Sequence, residues 1–156
     1  MWYEVLKRLS DVIIQANIVA DVKIGAYRPT FLSPTESGTI LLMRGDENNQ
    51  DSKMHNRVDM TFYVEIWTKS NDKDYSVGYE LIQRLEQAFE QALIGYRERL
   101  GSLDTTACMF DNGWQIMDVY VDSKRGDVDS NRPLIGSQYT LKAQLFDTTT
   151  EEYRIW

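Results

Sequence analysis

The sequence predicts an α+β fold: a mainly antiparallel β-sheet with two principal helices packed on one face, plus a C-terminal β-hairpin region. Three observations lead there. Val58, Met60, Phe62, Val64 and Ile66 alternate with Asp59, Thr61, Tyr63, Glu65 and Trp67, the period of a strand with one buried face. This strand, 58–69, runs into an amphipathic stretch, 72–93, whose apolar positions recur at helical spacing. Strand-like runs stand in groups between and after the helices, which favours α+β over a parallel sheet with alternating helices.

Taken in order, Trp2, Val5, Leu6, Leu9, Val12, Ile13 and Ala16 form one apolar stripe and predict a first helix over 2–17, with Glu4, Lys7, Arg8 and Asp11 on its polar side. Ala20, Val22 and Ile24 alternate with Asp21 and Lys23, which reads as a short strand within 19–27. Pro29 and Pro34 make 28–37 an irregular connector, because proline removes a ladder donor and fixes φ. Residues 39–44 (TILLMR) form a compact apolar strand, and 45–57 (GDENNQDSKMHNR) a long polar loop between paired strands.

The second helix opens at Ser70, Asn71 or Asp72, all good N-cap types. Gly78, Leu81, Ile82, Leu85, Ala88, Phe89, Ala92 and Leu93 make its buried stripe, with Tyr96 as its candidate extension, while Glu80, Glu86 and Glu90 fall on the wet side. Gly95 is a candidate C-cap, with a weak continuation to Leu100 as the alternative. Residues 105–110 and 114–122 read as two strands joined by Asn112-Gly113, since both turn positions tolerate positive φ. A second polar loop, 123–133, precedes a strand over 136–146, where Tyr139, Leu141, Ala143 and Leu145 alternate with Thr140, Lys142 and Gln144. Residues 1–147 read as one domain. The polar tail, 148–156, ends on Ile155-Trp156 and invites docking.

Composition narrows the function. At 156 residues with 42% apolar and 12% aromatic side chains, the chain can bury a real core. The single cysteine, Cys108, excludes an internal disulfide and a multi-cysteine metal site, and fits a reducing compartment. Charged residues interrupt the apolar stripe of the amino terminus, unlike a signal peptide, and no window approaches the ~20 apolar residues of a membrane span. Twenty-four acids against 17 bases give a formal net charge of -7, the wrong sign for gripping phosphates.

No motif carries chemistry. His55, the only histidine, lies in a polar loop with little preorganisation for a general base. Cys108 sits in an apolar pattern and reads as a small buried hydrophobe. No glycine-rich phosphate loop is present, and RGDVDSNR (125–132) lacks the spaced glycine and the terminal glutamate of a calcium loop. The chain is therefore expected to be no enzyme and to need neither metal nor cofactor. Tyr63 and Trp67, large aromatics expected on the wet face of the long strand, point to a surface that meets another protein.

The order of elements, with VEIWTK (64–69) followed by the helix YELIQRLEQAFEQAL (79–93), resembles the tail-terminator family of long-tailed bacteriophages, the minor tail protein U family. The likeness spans nearly the whole chain and rests on layout. It implies a hexameric ring at the head-proximal end of the tail tube, in the virion and, during assembly, in the host cytoplasm. The implied partners are copies of the chain, the tail tube protein and the head–tail connector protein. DNA would pass without specific binding, since an acidic wall offers phosphate no attraction. On this reading Tyr63, Trp67 and Trp156 belong to subunit contacts. Asp46, Glu47 and Asp51 in the first loop, with Arg125, Asp127 and Asp129 in the second, touch tube or connector. The alternatives are a head-closure or neck protein, a small-ligand-binding regulatory module, and a metal-dependent hydrolase built on carboxylates alone.

Overall fold

The alternating strand of the sequence lies at the centre of a five-stranded sheet. The computed structural model describes residues 1–18, 20–25, 38–49, 57–69, 76–126 and 134–147. Its elements are α1 (Trp2–Gln15), β1 (Asp21–Ile24), β2 (Thr39–Asn49), β3 (Arg57–Lys69), α2 (Ser76–Gly101), α3 (Thr105–Cys108), β4 (Trp114–Gly126) and β5 (Leu134–Asp147). The strand order is β1-β2-β3-β5-β4. Only the short β1–β2 pair is parallel, and the other three pairings are antiparallel. The α+β expectation holds.

One apolar cluster joins α1 and α2 to the same face of the sheet. It brings Val5, Leu6, Leu9 and Ile13 of α1 and Ile82, Leu85, Phe89 and Leu93 of α2 onto Phe62, Val64, Ile66, Leu141 and Leu145. The period of 2 on the strands and of 3.6 on the helices thus meet across one layer, and burial of these side chains, at roughly 1.5–3 kcal/mol each, drives the packing.

Several boundaries move. Helix α2 runs through Gly95 to Gly101, because Tyr96 and Leu100 are both buried and hold two more turns against the core. Strand β2 continues to Asn49 through a bulge between Arg44 and Glu47. Gly45 permits that bulge: a Cβ there would lie 2.7 Å from the Thr61 carbonyl oxygen. Strand β4 likewise reaches Gly126, so residues 123–126 of the expected second loop belong to the sheet. The expected N-cap at 70–72 falls outside the described residues.

One element is corrected. Residues 105–108 form the helical turn α3 instead of a strand. Asp104 caps it by accepting from the Thr106 backbone N–H at 3.1 Å. The Asn112-Gly113 turn still reverses the chain, with Phe110 N–H donating to Trp114 at 2.9 Å and a single bridge between Met109 and Gln115. The C-terminal hairpin is therefore β4–β5, formed by the strands on either side of the second loop.

A basic side chain from the other end of the sequence holds α3 in place. The Arg8 guanidinium donates to the carbonyl oxygens of Thr106 (3.2 Å), Ala107 (2.6 Å) and Met109 (3.0 Å) and lies over the Phe110 ring at 4.5 Å. The Tyr96 hydroxyl donates to the same Ala107 carbonyl at 2.7 Å. Three orphan carbonyls at a helix end thus find a fixed, forked donor.

Candidate interaction surface

The helices cover one face of the sheet. The opposite face carries Asp59, Thr61, Tyr63 and Glu65 of β3 beside Gln144, Lys142, Thr140 and Gln138 of β5, each pair directly opposite in register. Tyr120 of β4 follows next to Lys142. These side chains interlock: Lys142 Nζ donates to Thr61 Oγ1 at 3.0 Å, and Gln138 Nε2 approaches Glu65 Oε1 at 3.5 Å. Asp46, Asn48, Asp59, Thr61, Tyr120, Lys142 and Gln144 border an open polar hollow of about 230 Å³. Tyrosine, amides and hydroxyls in this mixture supply adaptable hydrogen bonding around a rigid aromatic contact, the composition of a recognition surface.

At one end the same face is closed. Trp67 is 1% exposed and packs with Leu41 in a second, smaller apolar cluster. Its indole lies flat on β5 where Gly136 has no side chain: a Cβ there would sit 2.5 Å from the ring. Its Nε1 donates to Glu65 Oε2 at 3.0 Å. The expectation that Trp67 stands on a wet face is corrected, since strand alternation gives the face but not what covers it. Tyr63 is partly exposed, as a contact residue needs to be.

Of the loop residues singled out in the sequence, Asp46 and Glu47 are exposed on β2, with Glu47 bridged to Arg44 at 3.4 Å. Arg125 is exposed near the end of β4. Asp51, Asp127, Asp129 and Trp156 lie outside the described residues. The structure thus brings Asp46 near Asp59 on one hollow and leaves Arg125 on the sheet edge.

A polar network that sequence reasoning missed ties β4 and β5 to α2. Lys124 Nζ bridges Glu86 Oε2 (2.8 Å) and Glu90 Oε1 (3.1 Å). Ser137 Oγ donates to Glu86, and Tyr139 OH donates to Glu90 at 2.8 Å. Glu86 and Glu90 were expected on the wet side of the helix. Their spacing of four residues was the available signal, since it stacks two carboxylates on one side of a helix. Burial by itself would lower the Lys124 pKa, but its hydrogen bonds with Glu86 and Glu90 outweigh that and raise it.

Tyr139 is fully buried, and its ring meets Phe89 edge-on at 4.9 Å. Burial first, then the hydrogen bond to Glu90, pushes its ionisation far above the ordinary 10.0. Burial also raises Tyr96, against the opposing pull of Arg8. An unfolded tyrosine ionises first, so this contribution to stability is intact below pH 10 and drains away as the pH rises beyond it. We expect Tyr139→Phe to flatten the alkaline fall of folding stability measured by urea titration at stepped pH. An unchanged slope would refute the assignment.

Among the described residues, no group of three or more His, Cys, Asp or Glu side chains gathers as a metal site, and Cys108 is buried. No described helix is long and apolar enough to cross a membrane.

No protein-family model and no curated protein matches the chain. Among solved structures, it is similar to a chain from the virion of a native gene transfer agent particle. Identity is 12%, the match covers 88% of this chain and 84% of that one, and the TM-score is 0.51. At that identity the likeness shows a shared fold. A second solved chain, also 12% identical, overlaps 89% of this chain and 88% of its own length, but at a TM-score of 0.43 it superposes too loosely to argue from.

Proposed function

We propose that this protein is a structural component of a phage-type virion. More specifically, it acts as a tail terminator: a ring of identical subunits, six by the family resemblance, that caps the tail tube and offers a surface to the head–tail connector. The observation that carries the reading is the half-covered sheet, with Tyr63, Thr140, Lys142, Gln144 and Tyr120 presented on the face opposite the helices. The fold shared with a virion chain supports it. So does the charge of -7, which leaves passing DNA unbound. Tyr63 supplies a subunit contact, while Asp46, Glu47 and Arg125 face tube or connector.

A small-ligand module fits the same surface less well. Such sites are concave and mostly apolar, whereas this hollow is open and bordered by Asp46, Asn48, Asp59, Lys142 and Gln144. Tyr63→Arg puts a charge into the contact without entering the core. Assembly on tail tubes, followed by native mass spectrometry and electron microscopy, should weaken at least tenfold, with the melting temperature nearly unchanged. Unimpaired rings would sink the contact. Binding of connector but not of tube would move the protein to the neck.

A further inference from the structure

The turn between Met109 and Gln115 carries a chemically reactive pair. Asn112 is exposed and precedes Gly113, and every other asparagine of the chain precedes a residue with a side chain. An asparagine Cγ and the next backbone nitrogen close a succinimide ring when they bond. A Cβ on the following residue obstructs that approach, and glycine has none. Asn112 Oδ1 accepts from Trp114 N–H at 3.3 Å, so a donor already stands where negative charge develops during the attack. The nucleophile is restrained, because Gly113 N–H donates to the Phe110 carbonyl at 3.1 Å.

We propose that Asn112 is a site of spontaneous covalent modification, with the folded turn as its brake. When the turn opens, the Gly113 nitrogen attacks Asn112 Cγ. The new N–Cγ bond replaces the Cγ–Nδ2 bond, and ammonia leaves with the proton of the Gly113 N–H. Water then splits the ring, its hydroxyl going to the carbonyl carbon and its proton to the nitrogen. Cleavage at Cγ gives aspartate in an ordinary backbone. Cleavage at the Asn112 carbonyl carbon gives isoaspartate, whose chain runs on through Cγ. Water is the sole co-reactant, and neither a partner nor a ring of subunits enters the chemistry.

The brake is local. Phe110 N–H donates to Trp114 at 2.9 Å, Gly113 N–H to Phe110, and an isolated bridge joins Met109 to Gln115. Opening these contacts costs less than unfolding the sheet. Arg8 steadies one arm through the Met109 carbonyl and the Phe110 ring.

The two products differ in their effect. Both lose the amide Nδ2 that lies 3.1 Å from Met1 Sδ. Aspartate keeps an oxygen for Trp114 N–H, and a charged acceptor holds that donor more strongly. Isoaspartate adds a carbon to the backbone inside the turn, so the Phe110–Gly113 and Phe110–Trp114 bonds cannot both persist. The arm that Arg8 clasps is then released. Either product places a negative charge at a cleft of about 390 Å³ that Asp111 and Asn112 border with Glu4, Lys7, Arg8 and Asp11.

The full chain, aged at neutral and mildly alkaline pH, natively and in unfolding urea, tests this. Peptide mass spectrometry follows the amide-to-acid mass gain at each asparagine. In urea Asn112 should convert ahead of every other asparagine. Natively it should convert about ten- to a hundredfold more slowly, as the population of the open turn dictates. The rate should rise with pH, because the Gly113 nitrogen must lose its proton. Equal rates in both states would remove the brake, and no native conversion while the urea sample converts fully would remove the site. Either result overturns the proposal.

Asn112→Ser keeps an oxygen for Trp114 N–H but cannot form the ring. It should stay a single species on ion exchange while the parent acquires an acidic form, and the same acidic form in both would place the reaction elsewhere. Hydrogen exchange then separates the products. The isoaspartate fraction should lose protection over 105–110, while freshly purified Asn112→Asp keeps it. Parent-like protection in the isoaspartate fraction would refute release of the clasp.

Discussion

Replacing Trp67 with alanine is expected to cost about 3–5 kcal/mol of folding stability, the range for removing a large buried aromatic. The ring is 1% exposed, packs on Leu41 and spreads over the bare backbone of Gly136. No neighbour can fill the space from beneath, because position 136 has no side chain to move. Loss of the indole also leaves Glu65 without its 3.0 Å donor. For a domain of this size the melting temperature should fall on the order of 10 °C. Trp67→Phe should recover more than half of the loss, since it keeps most of the ring and gives up the hydrogen bond. Urea denaturation of the three proteins decides it. An alanine variant within about 1 kcal/mol of the parent would mean that the ring is not part of the packed structure.

The second large effect belongs to Arg8. Its guanidinium serves the carbonyls of Thr106, Ala107 and Met109 while covering Phe110. Hydrogen bonds to a charged group contribute ~1.5–3 kcal/mol each, but these carbonyls share one donor and partly reach water, so Arg8→Leu should cost about 2–4 kcal/mol in all. Arg8→Lys should rescue little, because a compact ammonium can neither spread over Ala107 and Met109 as the two guanidinium nitrogens do nor lie flat on the Phe110 ring. Hydrogen exchange gives the sharper readout. Amides of 105–110 should lose protection well before those of β3 and β5. Uniform loss across the sheet, or full rescue by lysine, would overturn the clasp.

These two sites also mark where sequence reading stopped. The strand pattern 58–67 assigned each side chain of β3 to its correct face, and the helical stripes identified the buried sides of α1 and α2. Boundaries were less legible. Helix α2 outran Gly95 because Tyr96 and Leu100 found the core, a tertiary gain larger than the ~1 kcal/mol that glycine costs in a helix. Residues 105–108 carried strand-like apolarity, yet the Asp104 cap and the distant Arg8 favoured a helical turn. The clasp bridges residues about a hundred positions apart, and no local pattern encodes such a contact.

The candidate surface divides in the same way. Thr140, Lys142 and Gln144 could be placed on the face away from the core by alternation alone, and Tyr63 with them. That the half-buried Glu86 and Glu90 hold Lys124, Ser137 and Tyr139 could not, because an i, i+4 carboxylate pair reads as solvated until a cation is brought to it. By itself the sequence determined the class of fold, the faces of its elements and the acidic balance, all of which follow from local periodicity and composition. That Trp67 is enclosed, and that β4 comes last among the described strands, emerged from the three-dimensional packing alone. Both depend on which strands become neighbours, and that is fixed by packing between distant segments.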